Sequence, residues 1–432
     1  MFQLRSALFA GLGLELVAFA GLNRLGDASA HLELTLALFA LACTGFLIAA
    51  FAARRHAVRL RSILFVSLLL RAPLLPVEPS LSDDVWRYLH DGRTQLSGVS
   101  PYAFAPADPA TAAFRGPEHS RINHPELVTI YPPFAQLAFL LTAALGGTFG
   151  VWKALLLVAE ASIIALLAAL LQRTGRDPGG AILYAWHPLV ILEVAGSAHL
   201  EPIAIAPLLA AFLFALSRRP SAAGVLLGLS VAAKYFALPL APFLDRARVP
   251  RVLLATTAAV LVVSLPYVFA GSNPLGSLPL FGRSWASNAG PFALLENVFG
   301  AYGARAVAAT LLLALLVRLW QRGAAREDAA FAFVFATLLL SPVVHPWYLI
   351  WLVALLPVAR VTPVLAAAGI AWSLTVPSAY LAIPVFRISG EWSVPLPARL
   401  VQYVPVIGLL CAAIIQRTAG RRSAMPAGAP SR

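Results

Sequence analysis

The sequence predicts an all-α fold that crosses a membrane about 13 times. Three observations carry that expectation. First, 60% of residues are hydrophobic and only 12% are charged, whereas a soluble globular chain is usually near a quarter charged. Second, mean hydropathy is +0.81, and apolar runs recur along all 432 residues, many near the ~20 residues a spanning helix needs. Third, arginines cluster between those runs: Arg54, Arg55, Arg59 and Arg61; Arg218 and Arg219; Arg246, Arg248 and Arg251; Arg318, Arg322 and Arg326; Arg417, Arg421 and Arg422. Short basic loops between spans mark cytoplasmic connections. The net charge of +13 therefore reads as membrane topology, not nucleic-acid binding. The two cysteines, Cys43 and Cys411, both lie inside apolar runs and read as small core residues rather than a disulfide or metal pair. Residues 1–422 form one transmembrane unit, with no second domain large enough to fold alone.

Residues 4–22 and 31–52 make the first two spans, the first retained rather than cleaved, since no small-residue cleavage site follows a short apolar core. The RRHAVRLR loop puts their far ends in the cytoplasm. Residues 62–77 return outward with Arg71 near the exit, so residues 78–150 lie outside. Residues 134–146 are short for a span. Read as a juxtamembrane helix, they leave every later basic loop on the cytoplasmic side. The remaining spans are 151–171, 181–196, 201–217, a broken pair at 222–246, 251–270, 303–320, 329–343, 347–359, 362–378 and 398–416. Several are short or interrupted by proline, which is tolerated where helix ends line a protein-enclosed cavity. Both termini are cytoplasmic on this parity. The tail, 423–432, is rich in Ala, Pro, Gly, Ser and Arg and reads as disordered.

The external stretch 78–133 holds Glu78, Asp83, Asp84, Asp91, Asp108, Glu118 and Glu126, seven of the chain's 19 acids. Pro79 and Ser82 suit a helix start, which puts Asp83 and Asp84 in a first turn where the helix dipole favours anions. At helical spacing Asp84, Arg87, Tyr88 and Asp91 share a face, while Val85, Trp86 and Leu89 make a membrane-facing stripe. A capped interface helix is the plain alternative. Adjacent acids at a membrane surface, in a chain so poor in acids, favour catalysis: a carboxylate that deprotonates a hydroxyl or holds a divalent cation against a phosphate. No cofactor is required by the pattern, and a divalent cation stays open.

Three further groups fall on the same side. His199 and Glu201 sit at a predicted helix break before Pro202, either snorkelling at the interface or contacting a sugar. Lys234, one of two lysines, sits with Tyr235 at the broken pair, where it could hold a phosphate as a point charge. His345 precedes Pro346, Trp347 and Tyr348. It faces the cavity and the same phosphate, while Trp347, Tyr348 and Trp351 anchor an aromatic belt. Arg283 and Asn288 are further candidates. Glu193 would be costly in lipid and receives no role. No Walker or Rossmann glycine loop precedes a strand, so a donor would already be in the membrane.

The run SDDVWRYLHDGRTQLSGVSPYAFAPADP, then INHPELVTIYPPFAQLAF, closely resembles the first external loop of bacterial GT-C glycosyltransferases, above all those that depend on polyprenol-phosphate-mannose. HPLVILEVAGSAHLEP (187–202), AAKYFALPLAP and SPVVHPWYLIWLVALLP (341–357) extend the resemblance in the same order. Ser100 departs from the asparagine that family carries before Pro-Tyr. The resemblance implies a GT-C fold in a bacterial inner membrane. It implies transfer of a hexose, with mannose favoured, from a polyprenyl-phosphate sugar to a glycolipid or cell-envelope glycan. Transfer would take place on the external face with inversion, and Asp83 or Asp84 would be the base. Lys234, Tyr235, His345 and Arg283 would bind donor phosphate; His199, Glu201, Arg87, Tyr88, Asp91 and Tyr131 would contact sugars. The alternatives are a lipid-linked oligosaccharide ligase, which would show a larger late external loop, and a flippase or transporter, which would show midplane polar groups and internal repeats.

Overall fold

The computed structural model describes residues 2–54 and 58–423; Arg55 of the first basic loop and the tail 424–432 lie outside them. The described residues contain nineteen α-helices and eight short 3-10 or π segments, and no strand is present among them beyond one isolated bridge, Ser287 to Val343. The all-α expectation holds, and the chain is a multi-pass membrane protein. The number of crossings is a different matter. Seven helices are long and apolar enough to cross, or eight counting one bent pair, against about 13 expected. The other expected spans are shorter helices of 10–17 residues.

Helices α1 (Phe2–Leu25) and α2 (Leu32–Ala53) form a hairpin. It is tight because Gly11 and Gly45 face each other: a Cβ on Gly11 would lie 2.6 Å from Gly45 O, and one on Gly45 would lie 2.5 Å from Gly11 O. Small residues let backbones approach where lipid offers no hydrophobic drive between helices. α3 (Leu60–Arg71) ends on Arg71, which is enclosed by protein. Its guanidinium meets Glu160 of α6 (Phe149–Arg173) at 2.8 and 2.7 Å, and also bonds Ser67 and Ala185 O. Between them lie α4 (Asp84–Leu96) and α5 (Pro133–Ala144). At 12 residues, α5 is roughly 18 Å long, short of the ~30 Å of a hydrocarbon core.

The stripe expected to face lipid does not. Val85, Trp86 and Leu89 are buried at 0, 6 and 5% exposure. Gly92 lets α5 pack closely on α4, since its missing side chain admits the Phe139 carbonyl, 2.2 Å from where a Cβ would sit, while Arg121 of the following loop covers the Trp86 ring. α4 is thereby drawn into the protein rather than laid on the membrane.

α7 (Ile182–Ala185) and α8 (Pro188–Val190) lead into a π-turn, Ile191–Gly196, and the segments either side of His187 bend by 52°. α9 (Glu201–Leu216) and α10 (Pro220–Ala233) follow. Extended backbone at Lys234 ends α10 before a 3-10 turn and α11 (Ala241–Leu244), as the broken pair predicts. Gly224 and Gly228 let α12 (Val249–Phe269) pack on α10 through the Val252 and Thr256 carbonyls. After α13 (Leu278–Ser284), α14 (Pro291–Gln321) begins well before the expected 303, bending at Gly300 where φ is 68°. α15 (Arg326–Leu339), α16 (Leu349–Leu355), α17 (Pro363–Thr375), α18 (Ala382–Ser389) and α19 (Leu396–Ser423) complete the chain.

The connections gather at two ends. At one, Ser80 accepts from Ala28 N, Arg387 bonds Ser29, Ser277 bonds Val128 O, Ser272 meets Ser100, and Lys234 pairs with Glu201. At the other, Arg173 meets Ser217, Arg176 bonds Val358 O, Arg246 bonds Trp320 and Ala324 carbonyls, and Arg326 bonds Phe212 O. The acids of 78–133 and the basic loops therefore occupy opposite ends, the segregation the basic loops predict.

Candidate active site

The site is built where four interruptions of helix converge: the start of α4, the π-turn before α9, the Lys234 break and the loop before α16. Asp83 takes the N-cap position without capping through its side chain. It is exposed and lies in the field of Arg121, whose guanidinium covers the Trp86 ring at 3.9 Å and pairs with Glu78. Asp84, one residue on, turns inward with its side chain 20% exposed. The Tyr88 hydroxyl lies 3.5 Å from Oδ2, and Tyr131 stands beside it. Burial, with the Glu201 carboxylate adding to it and Lys234 offsetting both, pushes Asp84 up from its ordinary 3.8 to about 6.

His199 stands between two carboxylates. Its Nδ1 is 3.7 Å from Asp84 Oδ2 and its Nε2 is 3.4 Å from Glu193 Oε2, and neither nitrogen completes a hydrogen bond. The π-turn carries Glu193 into the interior, where the Tyr380 hydroxyl, 2.9 and 2.8 Å from its two oxygens, donates to the carboxylate. Ala198, at φ 63°, turns the chain so that its carbonyl accepts from Trp152 Nε1 at 2.8 Å. His199 stacks on Trp347 with centroids 3.8 Å apart, and the other face of Trp347 meets His345 at 4.4 Å. Burial, with Lys234 next, lowers His345 to about 3, and burial lowers His199 as well. Burial thus disfavours the charged form of both imidazoles. Lys234 pairs with Glu201 and lies 4.2 Å over the Tyr348 ring. The second oxygen of Glu201 has no partner among the described residues. A raised carboxylate, an imidazole with free nitrogens and a partly exposed ammonium suit proton removal beside a phosphate.

The family model for the N-terminal domain of α-(1→6)-mannopyranosyltransferases matches residues 7–249. That is more than half of the chain. The protein belongs to the α-(1→6)-mannopyranosyltransferase family. No curated protein matches it. The family match agrees with the resemblance to bacterial mannosyltransferases read from the loop sequence, and makes the protein a glycosyltransferase. Asp84, His199, Glu201 and Lys234 fall inside the matched residues; His345, Trp347, Tyr348 and Tyr380 fall after them.

In this mannosyltransferase-family chain, the structure brings together Asp84, Tyr88, Tyr131, His199, Glu201, Lys234 and His345. Arg87 and Asp91 are joined instead to each other, at 2.7 Å and buried, and Asp91 accepts from Gln136 at 2.8 Å. The Arg87–Asp91 pair lies within α4, and the bond from Gln136 joins Asp91 to α5. Tyr235 begins the 3-10 turn beyond Lys234 and is half-buried, and Arg283 is exposed at the end of α13. No group of three or more His, Cys, Asp or Glu among the described residues is arranged to hold a metal ion. Trp351, expected in an interface belt, is 2% exposed and belongs to the core.

Two members of the cluster were not assigned from sequence. Glu193 is conspicuous by its cost in an apolar run but received no role; the structure places it in the π-turn Ile191–Gly196 with Oε2 3.4 Å from His199 Nε2. Tyr380 had no signal, since an aromatic in an apolar stretch resembles any other core residue.

Proposed function

We propose that the protein is a GT-C-type enzyme. It moves mannose from a polyprenyl-phosphate-linked donor to a glycolipid or cell-envelope glycan, on the outer face of a bacterial inner membrane. The family description, an α-(1→6) transfer, favours the 6-hydroxyl of an acceptor sugar. Asp84 takes the hydroxyl proton as that oxygen attacks the anomeric carbon from the face opposite the phosphate. The carbon–oxygen bond to phosphate breaks, polyprenyl phosphate leaves, and the configuration inverts. Lys234 stabilises the negative charge on the departing phosphate, with His345 as a second donor. His199, Tyr88 and Tyr131 orient Asp84, and Glu193 with Tyr380 orients His199. Asp83, turned to solvent beside Arg121, takes no part in proton removal.

The observation that carries this reading is the inward Asp84 carboxylate, raised to about 6 and facing His199 and the Glu201–Lys234 pair. A general base works best when its pKa lies near the operating pH. The test is transfer of radiolabelled mannose from polyprenyl phosphate into a membrane lipid extract by the detergent-purified protein. Wild type is expected to form a labelled glycolipid. Asp84→Asn should lose about 10²–10⁴-fold in rate, while Asp83→Asn stays close to wild type. An Asp84→Asn enzyme that retains full activity would overturn the assignment of the base. Failure of wild type with every polyprenyl-phosphate sugar would overturn the donor.

A further inference from the structure

Where α3 begins and α6 ends, at the end of the molecule that carries the basic loops, a groove of about 450 Å³ opens between the two helices. That volume lies in the ~300–1,000 Å³ range of ligand pockets. The same helices are joined by the Arg71–Glu160 pair at 2.7 Å, roughly 16 Å along α3 from Leu60. Ala165, Ala168 and Ala169 line the groove on α6, and Leu60, 37% exposed, lines it on α3. α6 is long and apolar enough to cross the membrane, so this alanine wall lies where lipid tails run. Toward the end of α6 the lining turns polar, with Gln172 and Asp177 there and Arg59 at the start of α3, all three exposed. Arg59 makes no cap bond through its side chain. Asp177 Oδ1 accepts from Gly179 N at 2.8 Å, which leaves Oδ2 without a donor among the described residues. The neighbouring arginines have partners elsewhere, Arg173 on Ser217 and Arg176 on Val358 O.

One cation and one anion at the mouth of an alanine-lined groove describe a ligand with an apolar chain, a phosphate and an ammonium. We propose that the groove binds a phosphatidylethanolamine from the leaflet at the basic end. One acyl chain lies against Ala165, Ala168 and Ala169, where the small side chains leave room for it. The headgroup phosphate accepts from the Arg59 guanidinium and the Gln172 amide, and the ammonium donates to Asp177. Basic pockets between transmembrane helices bind lipid headgroups, and arginine pairs with phosphate through charge-assisted bonds. The carboxylate is what narrows the choice. A headgroup with phosphate alone would meet Asp177 as a like charge, and a quaternary ammonium has no N–H to donate. The lipid ties α3 to α6 at this end as Arg71 and Glu160 tie them further along.

The test titrates short-chain phosphatidylethanolamine, phosphatidylglycerol and phosphatidylcholine, and chainless phosphoethanolamine, into the delipidated full-length protein in detergent. Native mass spectrometry counts bound copies, and the melting temperature is followed beside it. Wild type is expected to take up one phosphatidylethanolamine saturably, about tenfold more tightly than either other lipid, and to melt higher with it. Phosphoethanolamine should not bind. Asp177→Asn keeps an oxygen for Gly179 N and removes the charge, so it should bind the ethanolamine and glycerol lipids equally. Arg59→Gln should weaken all three lipids about tenfold. Ala169→Leu, which fills the groove, should lose the saturable copy. Since Arg59 and Asp177 are exposed, neither change should alter melting without lipid. Equal, unsaturable uptake of all three lipids by wild type would mean annular lipid only and overturn the site. An Asp177→Asn protein that keeps the preference would overturn the ammonium contact, and tight binding of phosphoethanolamine would overturn a lipid as the occupant.

Discussion

At the scale of single residues, the two adjacent acids of α4 separate by exposure. Asp84 turns in and is raised to about 6, and that value fixes a pH dependence. A base must be deprotonated to act, so kcat/KM should fall about tenfold for each pH unit below about 6. The same group sets a stability dependence of opposite sign. Because folding raises its pKa from 3.8 to about 6, the folded protein binds the proton more tightly, and stability falls as pH rises through that window. Above pH 6 the ionised carboxylate costs about 3 kcal/mol. Asp84→Asn should therefore melt above wild type at pH 7–8 and level with it below pH 4. A variant that melts lower at pH 8 would show that Asp84 supports the fold rather than straining it. That Asp83 and Asp84 were candidates was legible from their setting. Which one turns inward was not, since adjacent residues on a first turn differ only in what the remainder of the chain packs against them.

At the scale of elements, α4 is held by its seam with α5 and not by the membrane. Gly92 lets the Phe139 carbonyl approach to 2.2 Å from a Cβ position, so Gly92→Ala must push α4 away and carry Asp84 with it. A shift near 1 Å at a reacting group can cost about 100-fold. Gly92→Ala should lose about that much activity while still folding, and Gly13→Ala, with open space around it, should lose nothing. Equal activity in the two would remove the seam from any role in aligning the site. Periodicity made the helix over Asp84–Leu96 legible, and the Lys234 break was legible from a lone lysine in apolar surroundings. The stripe of Val85, Trp86 and Leu89 faces protein instead of lipid, a distinction hydrophobic spacing does not carry, since it specifies a buried face without saying what covers it. The π-turn at Glu193 escaped for a related reason: one extra residue in a turn leaves the apolar composition unchanged.

At the scale of the whole molecule, acidic and basic connections stand at opposite ends, and arginine positions alone were enough to sort them. Helix length alone does not fix the number of crossings, because helices enclosed by protein need not be ~20 residues long. Sidedness can be tested in a Cys43→Ala, Cys411→Ala background with single cysteines at Ser97 and Arg322, both exposed. A membrane-impermeant maleimide should label position 97 on intact cells and position 322 only after permeabilisation. The reverse pattern would invert the assignment of the faces.

The long helix α14 carries a further consequence. Only 11% of its most apolar stretch is buried within the protein, so the bilayer, and little else, fixes its position. Its first turn, at Pro291, follows closely on Asn288, and that loop bridges to Val343 and Val344, next to His345. Detergent that strips annular lipid should thus loosen this region before the rest. Limited proteolysis would then cut first near residues 285–300 in micelles and spare them in nanodiscs. Enzyme extracted harshly would keep Asp84 in order while losing the His345 side of its site, an inactivation that leaves most of the fold intact.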